Sequence, residues 1–304
     1  MRLIPLIGFV LLTYRNPPQT LRLIHRLNRS FDDPPIALHH DFGQCSFPVD
    51  QLPGNVSVVQ PHRATGWGTF GTVEAFIAAL DSLMGRRDSP DWFVFLSGSD
   101  YPIQPGERIR RELGAAVADA FMDIAHINPF ALGRDTAGSA FGREWHHLAF
   151  MRWFGTDVRL PRLTSSGRLE WRSSRPKLQW LPVTHGPFRG GFRCYGGEAT
   201  ITANRRTALR ILEFHARKPA LAEHYSEREC VDESYLHCII GNSPELRVVK
   251  DSRRFTDWTE RKRHPRTLTT ADLPALVKSN AHFARKFDPE VDAAVLDRLD
   301  EMLN

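Results

Sequence analysis

The hydrophobic and polar positions along the chain follow two periodicities. Short continuous apolar runs, typical of strands buried on both faces of a sheet, alternate with segments in which apolar residues recur every three or four positions, as in amphipathic helices. The runs that predict strands are 4–13, 36–38, 56–59, 92–96, 120–124 and 199–201. The segments that predict helices are 19–27, 72–84, 107–113, 205–216 and 296–303. This alternation predicts an α/β fold with a Rossmann-like mixed sheet flanked by helices.

The stretch DWFVFLSGSDYPIQP, residues 91–105, contains the most abrupt change from residues typical of a buried strand to residues typical of a loop. Its apolar run stops at Ser97, and Asp100 follows within three residues. In open α/β sheets the ligand crevice lies beyond the carboxyl ends of the strands, so Asp100 is a candidate binding residue. A tight turn that contains an aspartate accounts for the same residues without a ligand.

The second predicted strand runs into His39, His40 and Asp41. An acid at this point of a nucleotide-binding α/β half commonly bonds a ribose or a base, which makes Asp41 a candidate. The glycine-rich phosphate fingerprint is absent, so a dinucleotide-binding Rossmann domain is not expected. Three adjacent residues of a strand cannot all point the same way, which argues against a metal site there.

Composition and charge narrow the class of protein. The 304 residues are 41% hydrophobic and 25% charged, with a formal charge of +5, which is typical of a soluble globular protein and modest for a nucleic-acid binder. Four cysteines without a CxxC pair indicate free thiols in a reducing compartment. The apolar run at 4–12 is shorter than the roughly 20 residues that span a bilayer, and no small-residue cleavage site follows it, so we expect no membrane anchor.

Residues 152–193 differ from the rest of the chain. They contain nine basic residues, two acidic ones and three tryptophans, Trp153, Trp171 and Trp180, and are interrupted by prolines and glycines. One interpretation is a long surface excursion with little regular structure. The other is a loop that lines an acceptor groove, because aromatic faces stack on sugars and arginines bind anions. Contact with an anionic membrane surface stays open.

Three further positions carry candidate chemistry. Asp123 lies within an apolar strand, where an acid is either exposed at an edge or functional. Asp232 and Glu233 fall at a likely helix start, where the helix dipole alone would stabilise acids. Arg285 and Lys286 lie between two phenylalanines, which indicates that this basic segment is packed down rather than solvated.

Several segments, taken together and in order, resemble the core-2/I-branching glycosyltransferases, whose relatives include peptide O-xylosyltransferases. They are LHHD at 38–41, the helix after Trp67, FLSGSDYPI at 95–103, GGEATITANR at 196–205, VDESYL at 231–236, RFTDW at 254–258 and HFARKFD at 282–288. The resemblance implies a single GT-A-type domain over residues 1–304, with a nucleotide-sugar half at 1–125 and an acceptor half with the catalytic segment at 126–304. It also implies inversion at the anomeric carbon, without a divalent metal or another cofactor.

The resemblance also implies roles for single residues. Asp41 matches the acid that binds uridine, and Glu233 matches the catalytic glutamate, although valine precedes the acidic pair here where the family has proline. Lys286, with Arg285 beside it, and the region of Arg266 match diphosphate contacts. Trp258 and Asp123 match residues on the acceptor side. Glu198 replaces a small residue of the family, so it bears on acceptor identity.

The single acid Asp100 fits metal independence, because enzymes of this fold that use a metal hold it with Asp-x-Asp. The chain is therefore expected to be an inverting, metal-independent transferase that moves N-acetylglucosamine or xylose from UDP to a hydroxyl of a glycan, glycolipid or protein. We expect it in the cytoplasm, with peripheral contact at the inner membrane surface left open, and without a nucleic-acid partner. One alternative is a peptide O-xylosyltransferase that uses UDP-xylose. The alternative from another class is a non-catalytic basic binding module.

Overall fold

The computed structural model describes residues 4–127, 187–188, 190–226, 228, 230–260 and 264–304, together with the backbone of 152–153, 158–163, 169–174 and 177–178. Its strands, in chain order, are β1 (Ile7–Thr13), β2 (Ile36–His40), β3 (Val56–Val58), β4 (Trp92–Ser97), β5 (Tyr101–Pro102), β6 (Ala120–Met122), β7 (Ala125–His126), β8 (Arg152–Trp153), β9 (Val158–Leu163), β10 (Leu169–Ser174), β11 (Lys177–Leu178), β12 (Tyr195–Gly196), β13 (Ile201–Asn204), β14 (Val248–Val249), β15 (Arg254–Thr256) and β16 (Phe283–Arg285). Its helices are α1 (Pro17–Phe31), α2 (Phe70–Met84), α3 (Gly106–Ala115), α4 (Arg205–Arg217), α5 (Pro219–Ser226), α6 (Tyr235–Gly241), α7 (Leu273–Lys278) and α8 (Ala294–Met302), with short 3-10 helices at Val49–Gln51, Val231–Glu233 and Thr270–Asp272.

The main sheet has seven strands in the order β14-β6-β13-β4-β1-β2-β3. All neighbours pair in parallel except β13, which is antiparallel to β4 and β6. The carboxyl ends of β1, β2, β4 and β6 therefore meet at one edge of the sheet, and β13 begins at that same edge. This is the expected mixed sheet, and it draws strands from both the first and the second half of the chain.

Two apolar cores cover the two faces of this sheet. Side chains alternate along β1, so that Phe9 packs into a core with α1, α3 and α8, while Val10 packs into a core with α2, α4 and α6. Helices on both faces explain why the strands read as continuous apolar runs. The predicted α/β fold with a mixed sheet between helices is confirmed.

A smaller sheet, in the order β15-β16-β5, joins the C-terminal segment to the turn after β4. β16 pairs antiparallel with β5 through Phe283 and Pro102 and parallel with β15 through Phe283 and Arg254. Just beyond β16, Phe287 N–H donates to Ser99 O at 2.9 Å. These bonds hold Arg285 and Lys286 against the Asp100 turn.

Two local predictions are wrong. The strand predicted at 120–124 ends at Met122, so Asp123 follows the strand instead of lying within it. Residues 152–193, which one interpretation treated as mostly irregular, contain antiparallel pairs, β9 with β10 and β8 with β11. The alternation in VRLPRL is a strand pattern that the arginines and the proline obscured. The predicted acceptor role of this segment depends on side chains that lie outside the described residues.

Candidate active site

The edge where the parallel strands end gathers most of the predicted site residues. Asp41 follows β2, Asp100 follows β4, Asp123 follows β6, and Glu198 precedes β13. The 3-10 helix Val231–Glu233 reaches this region through Gly197, whose N–H donates to Glu233 O at 3.0 Å. Strand order alone thus brings together residues that are far apart in sequence.

Asp41 joins two loops at the end of β2. Its Oδ2 accepts hydrogen bonds from Gln44 Nε2 at 2.6 Å and from Thr65 N–H and Oγ1 at 2.6 and 2.9 Å, while its Oδ1 accepts from Gly43 N–H. Burial opposes ionisation, but these hydrogen bonds outweigh it and lower the pKa of Asp41 to about 2. Asp41 is therefore an anion that organises the wall of the crevice.

Asp100 points into the protein and is only 1% exposed. Its Oδ2 accepts from Ser97 N–H at 2.6 Å and from the Ser97 hydroxyl. Its Oδ1 lies 3.6 Å from Arg254 Nε and 4.0 Å from Arg285 Nε. The carboxylate thus faces two arginines and not the open crevice.

Arg254 is a site residue that the sequence analysis did not single out. It begins β15, is fully buried, and donates from Nη2 to Phe95 O at 2.9 Å. Burial lowers the pKa of Arg254 to about 10, although the Asp100 carboxylate opposes this effect. The signal available in the sequence was a charged residue inside the RFTDW motif.

Lys286 is half-buried beside Arg285. Burial and then the positive charges of Arg285 and Arg15 lower the pKa of Lys286 to about 8, while Asp100 and Glu233 oppose the shift. A site where neighbouring cations disfavour the protonated form of Lys286 is a place where an added anion is stabilised. The geometry therefore agrees with an anion site at Arg285 and Lys286.

Arg266 has different partners from those expected of a diphosphate ligand. Its guanidinium bridges Asp257 and Asp272, with Nη2 2.6 Å from a carboxylate oxygen of each, and Nη1 also donates to Thr267 O. The hydrogen bonds that Arg266 donates to Asp272 and Asp257 raise the pKa of Arg266 above its ordinary value. Because its donors are already engaged by two carboxylates, this structure places Arg266 in an ion-pair cluster and offers no guanidinium edge to a diphosphate.

Asp232 and Glu233 share a 3-10 helix but have different surroundings. Burial raises the pKa of Asp232, and the backbone N–H groups of Asp232 and Glu233 oppose the shift, together with Arg285. Burial, followed by the charges of Asp232 and Glu198, raises the pKa of Glu233 to about 9, while Arg285 and Lys286 oppose the shift. Arg285 thus acts on both carboxyl groups, while local backbone N–H groups act on Asp232, and Glu198 and Lys286 act on Glu233.

Glu198 connects the residues predicted on the acceptor side. Its Oε1 accepts from Trp258 Nε1–H at 2.8 Å and from Thr256 Oγ1 at 2.9 Å, and its N–H donates to Asp123 Oδ2 at 3.2 Å. Gly197 allows this approach, because a Cβ there would lie 2.1 Å from Asp123 O. Glu198 therefore fixes the orientation of the Trp258 indole.

Acidic and basic side chains meet around Glu233. Glu233 lies within electrostatic reach of two acidic side chains, Asp232 and Glu198, and of two basic ones, Arg285 and Lys286. Among the described residues, no group of three or more His, Cys, Asp and Glu side chains is arranged to hold a metal ion. Nor does any helix of the described segments combine the length and apolarity needed to cross a bilayer.

A mixed sheet with a charged crevice at the carboxyl ends of its parallel strands defines the class of α/β proteins that bind ligands at that edge. Within this class, residues 152–278 match the model of the Core-2/I-Branching enzyme family. This match to a glycosyltransferase family model confirms the resemblance seen in the motifs. The matched segment includes Glu198, Glu233 and Trp258.

The chain is also similar to named members of the group. It is 27% identical over 219 residues to the beta-glucuronosyltransferase GlcAT14A of Arabidopsis thaliana, which covers 70% of this chain and 43% of that protein. It is 23% identical over 275 residues to xylosyltransferase 1 of Homo sapiens, which covers 84% of this chain and 25% of that protein. The chain therefore spans less than half the length of these curated relatives.

Two solved structures align along most of the chain at low similarity. The galactosyltransferase LgtC in complex with donor and acceptor sugar analogs has a TM-score of 0.40 and 8% identity, covering 98% of this chain and 96% of that one. The 4-diphosphocytidyl-2C-methyl-D-erythritol synthase from Anaerococcus prevotii has a TM-score of 0.35 and 12% identity, covering 90% of this chain and 94% of that one.

Proposed function

We propose that this chain is an inverting, metal-independent glycosyltransferase that moves a sugar from a UDP-sugar to a hydroxyl acceptor, with Glu233 as the general base. The observation that carries the proposal is that Glu233 lies within electrostatic reach of the cations Arg285 and Lys286 as well as of the acidic groups Asp232 and Glu198. Inverting transfer needs one base next to the reacting carbon and a positive environment for the leaving diphosphate. Glu233 and the Arg285–Lys286 pair supply these two elements side by side.

The proposed reaction is a single displacement. The acceptor hydroxyl gives its proton to the ionised form of Glu233, whose population grows as the pH rises towards its pKa of about 9, while the hydroxyl oxygen forms a bond to the anomeric carbon. The bond between that carbon and the β-phosphate oxygen breaks on the opposite face, and UDP leaves with the electron pair. Lys286 and Arg285 stabilise the added negative charge of the leaving group, which is the role that a divalent metal fulfils in other transferases.

The resemblance and the named relatives together suggest three candidate donor sugars. N-acetylglucosamine is the donor sugar expected from the resemblance to branching enzymes. The names of the two curated relatives point instead to glucuronic acid and to xylose. UDP-xylose with a peptide hydroxyl is therefore the second candidate, and a glucuronosyl donor belongs in the same screen.

The first experiment is a screen of UDP-sugars for donor hydrolysis and for thermal stabilisation of the chain. We expect one UDP-sugar to raise Tm and to be hydrolysed slowly, both in the presence of EDTA. If activity is abolished by EDTA and restored by Mn²⁺, the metal-independent part of the proposal is wrong. If no UDP-sugar or UDP has any effect, the donor class is wrong.

The non-catalytic alternative makes a different prediction about salt. A basic module that binds an acidic polymer should lose affinity steeply between 50 and 200 mM salt, by about a thousandfold for several phosphate contacts. UDP held in a half-buried crevice should lose far less. We also propose a cytoplasmic location, because Cys194 and Cys238 are buried free cysteines, as is typical of a reducing compartment.

A further inference from the structure

One buried charge in the crevice has no part in the mechanism above. The side chain of Arg254 is fully buried, donates from Nη2 to Phe95 O, and has its guanidinium carbon 5.0 Å from the Phe283 ring centroid. Its Nε and Nη1 have no hydrogen-bond partner within the described part of the chain. A buried guanidinium with unpaired donors is costly, so its position calls for a physical reason.

The unpaired atoms lie around Asp100. Asp100 Oδ1, Arg254 Nε and Arg285 Nε all lack hydrogen-bond partners among the described residues. The oxygen is 3.6 Å from Arg254 Nε and 4.0 Å from Arg285 Nε. Both separations are too long for a direct hydrogen bond but short enough for strong attraction where water is excluded. One carboxylate is thus shared between two arginines, of which Arg254 is the nearer.

This sharing decides how much of Arg285 is available to a ligand. Arg254 is enclosed, whereas the Arg285 side chain is 22% exposed. Because Arg254 neutralises Asp100, Arg285 is not needed as its counter-ion. Without Arg254, the buried Asp100 would keep Arg285 as its near cation, and the attraction would draw that guanidinium inward.

We propose that Arg254 is a positioning residue of the donor site, which neutralises Asp100 and so leaves Arg285 available to the diphosphate of the sugar nucleotide. Asp100 then acts on the donor through the two arginines and does not itself contact the nucleotide. The inference rests on the proposed function, since it requires a nucleoside diphosphate in the crevice.

The experiment compares UDP affinity by calorimetry in the full chain and in four variants. Arg254→Met keeps the length of the side chain and removes its charge, and we expect it to weaken UDP binding on the order of tenfold or more, as an uncompensated carboxylate near a diphosphate should. Arg254→Lys keeps the charge and should lose much less. Uridine, which has no phosphate, should bind Arg254→Met as it binds wild type.

The second pair of variants separates positioning from structure. The double variant Arg254→Met/Asp100→Asn removes both charges of the buried pair, so UDP affinity should return towards the wild-type value. Asp100→Asn alone removes a negative charge beside the diphosphate and should bind UDP more tightly than wild type. This single variant carries the test if Arg254→Met does not fold.

Three results would overturn the inference. Arg254→Met could unfold at lower temperature yet bind UDP like wild type, which would make Arg254 purely structural. Asp100→Asn could lose affinity tenfold, which would make Asp100 a direct nucleotide contact. The double variant could bind no better than Arg254→Met. If wild type itself binds no UDP, the proposed function fails first, and this inference fails with it.

Discussion

At the residue scale, Asp232 and Glu233 show how neighbours with the same charge can differ in role. Backbone N–H groups of the same 3-10 helix act on Asp232, as in a local capping arrangement. On Glu233 the neighbouring Asp232 acts together with three side chains from distant segments, Glu198, Arg285 and Lys286. A carboxyl group that faces both halves of a crevice is better placed to take a proton from a ligand than one bonded to its own turn.

The first prediction concerns this pair. Glu233→Gln keeps the shape of the side chain but cannot accept the proton, so turnover should fall about a hundred- to ten-thousandfold while UDP affinity is kept. Asp232→Asn, the matched control, should reduce turnover much less. Steady-state kinetics and calorimetry check both variants. Near wild-type turnover in Glu233→Gln would remove it as the base and make Asp123 or Glu198 the next to test.

The second prediction concerns the basic pair. Lys286→Ala removes a charge held beside the leaving group, and the loss of such a preorganised partner typically costs about a hundredfold in kcat. Arg285→Ala should also reduce kcat, and the double variant should be worse than either single one. Arg298→Ala, on the exposed face of α8 with Glu301, is the control and should keep full activity. Normal turnover in the double variant would show that the pair is only a solvated surface.

At the scale of elements, the loops at the end of β2 depend on one carboxylate. Asp41 holds Gln44 in the loop that follows β2 and Thr65 in the loop before α2. Gly71 allows the loop before α2 to pack closely against the start of that helix, because a Cβ at this position would lie 2.2 Å from Ala64 O. One wall of the candidate nucleotide pocket is therefore built from two segments that meet at Asp41 and also through Gln44, whose Nε2 donates to Thr65 O at 2.7 Å.

The third prediction separates two ways in which Asp41 could affect the nucleotide. Asp41→Ala should weaken UDP binding while the fold is kept. Thr65→Val removes only the hydroxyl that donates to Asp41 and leaves the carboxylate in place. If Asp41 acts by ordering the loops, the two losses should be non-additive in the double variant; if it contacts the nucleotide directly, Thr65→Val should cost little. Unchanged UDP affinity in Asp41→Ala would remove it from the site.

At the scale of the whole molecule, the buried carboxyl groups of the crevice make the stability of the folded chain depend on pH. Glu233 and Asp232 both have raised pKa values, so between about pH 4.5 and 9 the folded chain binds more protons than the unfolded chain. Stability should therefore fall as pH rises through this window. The lowered pKa of Asp41 acts in the opposite direction, but its contribution is lost only as the pH falls below about 4.

The fourth prediction follows from this linkage. Glu233→Gln should raise Tm at pH 8.5, where the wild-type folded state must hold a partly ionised buried carboxyl group, and should have little effect at pH 4.5. The exposed variant Glu301→Gln is the control and should change Tm little at either pH. Thermal unfolding at the two values measures the difference. Equal shifts of Tm for Glu233→Gln at both values would contradict the raised pKa.

The sequence by itself determined the layers of the fold and the residue types of the site. Continuous apolar runs and helical spacing predicted the buried strands and their helices. A strand buried on both faces needs apolar residues throughout, and a helix buried on one face needs them every three or four positions, so both patterns are visible in the local sequence. The predicted helices at 72–84 and 205–216 agree closely with α2 and α4. The motifs around Asp41, Glu233 and Lys286 carried the family resemblance for the same reason: each is a local pattern.

The tertiary structure alone decided which charges meet. From the sequence, Arg266 and Arg285 were both predicted to contact the diphosphate. In the structure, Arg266 is held by Asp257 and Asp272, while Arg285 faces Asp100 and Glu233. The sequence predicted no role for Arg254. The parallel pairing of β15 and β16 places this residue beside Asp100 and the Phe283 ring. Electrostatic interaction depends on distance and burial, and both are set by strand order between segments far apart in the chain, which no local pattern encodes.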